Sequence, residues 1–178
     1  TIVQPGTGTL NLIAGDSISQ SGGAAIQSRT LAAQSGSSIS LTETGNRFGA
    51  VSVSAAGNVD LVTQATSLAL NGLQVTGGAA SVDNRGGAVQ FAGATNVGGS
   101  LTVRGTGALS QTAPITAANL SARTVNDAGA AISLNHASNL VPSATLAVRN
   151  ASDTGNAPAP IACRSATMRS RMATFGCS

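Results

Sequence analysis

Apolar residues recur at every second position in short runs along most of the chain. The pairs are Leu10/Leu12, Ile39/Leu41, Val51/Val53, Val59/Leu61, Leu68/Leu70, Leu73/Val75, Val89/Phe91, Leu101/Val103, Ile132/Leu134 and Leu146/Val148. A period of two sends alternate side chains to opposite faces of a strand, so each run predicts a short strand with one face buried. Between the runs stand Ala14-Gly15-Asp16, Gly22-Gly23, Gly45-Asn46, Gly57-Asn58, Asn71-Gly72, Gly77-Gly78, Gly86-Gly87 and Gly98-Gly99. Gly and Asn turn the backbone at low steric cost, so these predict corners. No helical period lasts beyond one turn. Leu31–Gln34 and Ala117–Leu120 come nearest, and their flanks predict strand or corner instead.

Strands of three to five residues bury too little area to hold a sandwich together. They become stable if the chain coils and each strand pairs with its equivalent one coil below, at a spacing of about 4.8 Å. A long internal repeat points the same way. Leu10–Ser21 returns as Leu101–Thr112, with Leu10 and Leu101 91 residues apart. Ile39-Ser40-Leu41 returns as Ile132-Ser133-Leu134 at a distance of 93, as do Asn46 and Val53 at Asn139 and Leu146. The chain reads as nearly two copies of one unit, the second incomplete. Each unit predicts four or five coils of roughly 18–23 residues. The expected architecture is all-β, a single-stranded parallel β-helix (solenoid) over residues 1–156 and about 35 Å long. An up-and-down or sandwich β protein is the runner-up.

Composition narrows this further. Charged residues are 8% of the 178 and aromatics 2%, with 22 Gly and neither Trp nor Tyr. Such a chain fills a thin aliphatic core more readily than a thick one. The mean hydropathy of +0.20 is too apolar for a solvated coil. The formal charge of +3 belongs to Arg164, Arg169 and Arg171; through residue 156 the six arginines and six acids cancel. No basic face along the repeats is expected, and no nucleic-acid partner. No apolar stretch is long enough for a membrane-spanning helix. The chain opens on Thr1 instead of Met, which predicts a processed or excised piece.

At Ala157-Pro158-Ala159-Pro160 the character changes, because proline supplies no donor to a strand ladder. Residues 157–178 hold both cysteines, both methionines and three arginines, and read as a cap, a linker or foreign sequence. Cys163 and Cys177 are a candidate disulfide, which in an exported chain would close the end and add about 3 kcal/mol; two free thiols are the alternative.

The motifs together resemble a known family. Gly8-Thr9-Leu10-Asn11-Leu12-Ile13-Ala14-Gly15-Asp16-Ser17-Ile18-Ser19-Gln20-Ser21-Gly22, then Ser38–Ser54, Gly57–Val62 and Ser67–Val75, are similar to the repeats of filamentous-haemagglutinin-like exoproteins. These are Gram-negative adhesins exported by two-partner secretion. The resemblance covers about residues 7–150. Gly45-Asn46-Arg47-Phe48-Gly49 looks like that family's recurrent turn; the second copy reads Ser138-Asn139-Leu140-Val141-Pro142, so its corner is expected to differ. The resemblance implies a right-handed parallel β-helix serving as the shaft of a surface fibre for cell adhesion. It implies an outer-membrane secretion pore as partner during export, a secreted or outer-surface location, and contact with an unspecified host or bacterial cell surface.

Candidate chemistry is sparse. His136 is the only histidine, and reads as an exposed residue beside the Ile132/Leu134 run. Asp16, Glu43, Asp60, Asp83, Asp127 and Asp153 are spread singly and read as corner residues. A β-helical carbohydrate-active enzyme, a polysaccharide lyase or hydrolase, is the alternative function and would need two such carboxylates about 5–10 Å apart. No catalytic residue, metal ligand or cofactor site is assigned, and no cofactor is expected. Asn119-Leu120-Ser121 and Asn150-Ala151-Ser152 match the glycosylation acceptor pattern.

Overall fold

The computed structural model describes residues 2–163. The strands in chain order are β1 (Ile2–Ala14), β2 (Ile18–Ser19), β3 (Ile26–Ser35), β4 (Ile39–Leu41), β5 (Arg47–Ala55), β6 (Val59–Thr63), β7 (Ser67–Val75) and β8 (Ala80–Asn84). They continue with β9 (Ala88–Phe91), β10 (Thr95–Gly105), β11 (Leu109–Gln111), β12 (Ile115–Val125), β13 (Ile132–Leu134), β14 (Ala144–Arg149) and β15 (Ile161–Cys163). Each pairing between strands is parallel and joins one coil to the next. The result is an all-β solenoid of about 7 turns, with no helix among the described residues. The expected β-helix is therefore observed.

Three stacks make the three sides. The first runs through β2, β4, β6, β8, the latter half of β10, the latter half of β12, and β14. The second runs from the start of β7 through β9, β11, β13 and β15. The third takes the ends of β1, β3, β5 and β7, then the starts of β10 and β12. Inside, like packs on like. Ile39, Val59, Ala80, Leu101 and Leu120 lie in register, and each of the five is buried. Leu68, Val89, Leu109 and Ile132 form a second such column. Phe48 and Phe91, both 0% exposed, are the largest side chains in the core. Removing this aliphatic surface from water at about 25 cal/mol per Å2 is what holds the coils together.

Several strands are longer than the three to five residues expected, because one corner per coil is straightened. β3 and β5 run through the corner between the second and third sides. β10 and β12 run through the corner between the third side and the first of the next coil. Asn71-Gly72 and Gly98-Gly99 are consequently not turns. They sit within strands, at or beside register shifts that absorb an extra residue. Elsewhere glycine lets coils approach: a Cβ on Gly93 would overlap the backbone carbonyl of Asn71 one coil below.

The two ends differ. At the start, Ile2 and Val3 are exposed and Leu10, Leu12 and Ile18 only partly buried. At the other end the chain folds back, with an antiparallel bridge between Arg149 and Asn156 and the Ala157 N–H donating to the Val148 carbonyl at 3.0 Å. Past the proline pair, Ile161–Cys163 adds a further rung on β13.

Candidate functional site

The two sequence copies build the same buried hydrogen-bonded unit. In the first, Gln20 Nε2 donates to Asn46 Oδ1 at 2.7 Å and Asn46 Nδ2 returns a bond to Gln20 Oε1 at 2.9 Å. Asn46 Oδ1 also accepts from the Ile26 N–H at 2.9 Å, and its Nδ2 donates to the Leu41 carbonyl at 3.1 Å. In the second, Gln111 and Asn139 exchange the same two bonds at 2.9 Å each. Asn139 Oδ1 accepts from the Ile115 N–H at 2.9 Å, and Nδ2 donates to the Leu134 carbonyl at 3.2 Å. An amide has two donors and two acceptor sites, and here one side chain spends all four inside the wall of the solenoid. Ile26 and Ile115 are thus equivalents 89 residues apart. The repeat loses two residues after Gln111 and regains four between Val125 and Ile132, a finer alignment than one two-residue insertion.

Equivalent units occupy different sides. Ile39–Leu41 lies in the first stack and Ile132–Leu134 in the second. Four rungs above Ile39 in its own stack is Leu120, and Ile132 is one side further along the chain. The repeat is therefore four and one-third turns.

Register also gathers charge. Asp83, Arg104 and Arg123 are successive partners on the first side. Asp83 pairs with Arg85 at 2.7 Å and Arg104 at 2.9 Å; Asp153 pairs with Arg123 at 3.4 Å and Arg149 at 3.5 Å. Four of the six arginines before residue 157 thus meet two carboxylates on one side, a clustering of mixed charge that the sequence did not announce. These residues are scattered from Asp83 to Asp153 and form no run in the sequence, so only strand register could reveal the cluster. Beside Ala147 lies a groove of about 260 Å3 lined by Ser121, Ala122, Arg123, Thr145, Arg149 and Asp153.

The structure places the other expected site residues one by one. Asp60 and Asp83 are on strands β6 and β8, not corners. Asp16, Asp127 and Asp153 are in bends or turns, and Glu43 opens a turn, its carbonyl accepting from the Asn46 N–H at 3.0 Å. Among the described residues no three His, Cys, Asp or Glu side chains converge as a metal site. His136 is half-buried rather than exposed; its Nδ1 accepts from the Ser138 N–H at 3.1 Å and so closes a turn. Asn119 is exposed on β12, with its Nδ2 at 3.4 Å from Ser100 Oγ. Asn150 is half-buried, and its Oδ1 accepts from the Thr154 and Gly155 N–H groups at 2.9 and 3.2 Å. Of these two glycosylation candidates, Asn119 is the more exposed, while the Asn150 amide is tied into its own turn, with Nδ2 3.4 Å from Thr154 Oγ1. Cys163 ends β15, and its proposed partner Cys177 lies outside the described residues. No described helix is long and apolar enough to cross a membrane.

The family of repeats of unknown function (DUF5649) matches residues 3–55 and 77–148. Ala55 and Val148, the two end points, are 93 residues apart, the spacing of the second half of the internal repeat. No curated protein and no solved structure matches the chain.

Proposed function

The chain belongs to that family of repeats of unknown function, and on this premise we propose that it is a length of structural shaft in a secreted bacterial surface adhesin. It extends and presents binding regions and does not itself catalyse a reaction. One observation carries the reading: each strand pairs only with the coil before and the coil after, so length is added without redesigning the core. The near-identical amide units at the two copies support it, since they repeat a local wall element and not a reactive group. The sequence resemblance to filamentous-haemagglutinin-like exoproteins supplies the cell-surface context, with two-partner export through an outer-membrane pore.

The test is surface display. Antibody against the repeats is applied to intact cells of the source, with and without the gene for the pore partner. The expected result is surface labelling that disappears with the pore. Labelling only after lysis overturns the adhesin reading. Turnover of a polysaccharide by the purified chain, tied to Asp60 or Asp83, favours the carbohydrate-active enzyme instead.

A further inference from the structure

We propose that the first side of the solenoid binds a linear acidic polysaccharide, with one uronate unit seated in the groove over Ala147. Two rows of outward side chains run along this side. Ser81, Thr102, Ser121 and Thr145 are in register in one. Asp83, Arg104, Arg123 and Ala147 are in register in the other, two residues on along each strand. Where the charged row reaches Ala147 the side chain shrinks to a methyl group, and the groove of about 260 Å3 opens there.

Charge and donors match a carboxylate. Asp83 and Asp153 are each shared by two guanidinium groups, so both clusters keep a net positive charge, whereas Asp60, in register below Ser81, ends the hydroxyl row on the side away from the groove. Arg123 meets Asp153 through Nε at 3.4 Å, and its side chain is about half exposed (47%), which leaves room for a ligand at the guanidinium. A guanidinium fork is the group that fits a carboxylate face-on. The hydroxyl row beside it both donates and accepts, as sugar hydroxyls require. The coils rise by about 4.8 Å, comparable to one sugar unit, so a polyuronate laid along the axis meets the rows repeatedly. Nucleic acid fits less well: Phe48 and Phe91 are wholly buried, so no described phenyl ring is free to stack a base. Asp153 stands where the ligand's carboxylate would compete. It is held there by a turn in which it adopts φ 58° and donates its N–H to the Asn150 carbonyl. This inference goes beyond the shaft reading and does not rest on it.

Calorimetric titration of the whole chain with polygalacturonate oligomers, their methyl esters and single-stranded DNA of equal charge tests it. The acid form binds and the ester does not. Arg123→Gln and Ala147→Leu each weaken binding about tenfold, and Asp153→Asn tightens it severalfold; thermal melts confirm that all three variants fold. Equal binding of ester and acid overturns the proposal, as does unchanged affinity in the folded Arg123 and Ala147 variants. DNA bound as tightly as polyuronate also overturns it, leaving general attraction for polyanions.

Discussion

The two amide units invite direct comparison. Gln20–Asn46 and Gln111–Asn139 make the same bonds to the same backbone groups, yet one faces the corner after the first side and the other the corner after the second. The residues just beyond each asparagine also differ. Asn46 leads into β5, with Phe48 wholly buried two residues on. Asn139 leads to Leu140, which makes a single bridge to Thr116, and then to Pro142, which has no N–H to continue a ladder. The corner expected to differ does so after the asparagine, not at it. The difference teaches that the repeat encodes a local hydrogen-bonding device, indifferent to which side of the shaft carries it.

The most severe way to break the equivalence is to remove the asparagines. Asn46→Leu strands the Ile26 N–H and the Leu41 carbonyl in the wall and leaves Gln20 without its partner, at a cost of about 3–4 kcal/mol. Asn139→Leu is expected to cost the same within about 1 kcal/mol, measured by urea unfolding. A near-zero loss at Asn139 would show that the second unit is not equivalent. Removing the partner is milder, because Gln20 and Gln111 are half-buried and water replaces part of what they give. Gln20→Ala and Gln111→Ala should each cost about 2 kcal/mol, and a twofold difference between them would place unequal strain on the two corners.

Two smaller changes convert one copy toward the other. Val141 holds the position of Phe48, and both are buried. Val141→Phe should cost about 1–2 kcal/mol through overpacking; a neutral result in the same unfolding assay would show a larger space than the buried valine indicates. Ile26 packs in register on Ile2, whereas Ile115 packs on Thr95, whose buried hydroxyl has no hydrogen-bond partner. Thr95→Val keeps the shape and should stabilise the chain by about 1 kcal/mol, seen as a raised Tm. A lowered Tm would mean that the hydroxyl is satisfied in solution.

Much of the wall was legible. The alternation of Ile39/Leu41, Val59/Leu61 and Leu101/Val103 names the inward residues, and the matched offsets imply stacking rather than two facing sheets. The amide unit was half legible: Gln20 with Gln111 and Asn46 with Asn139 marked the repeat, but the bond joins residues 26 apart that no local pattern connects. Asn71-Gly72 was misread because a bulge and a turn ask for the same permissive backbone. The arginine cluster was not legible because adding charges along a chain ignores which strand lies beneath which.

By itself the sequence determined what is local and periodic: which side chains point inward, roughly how many residues make a coil, and where the long unit begins again. Only the tertiary structure decided which residues become neighbours across coils. That choice turned four dispersed arginines into one side and rotated the second copy by a third of a turn. The physical reason is that inward and outward follow from the backbone's period of two, while the side on which a residue lands depends on the summed length of every coil before it.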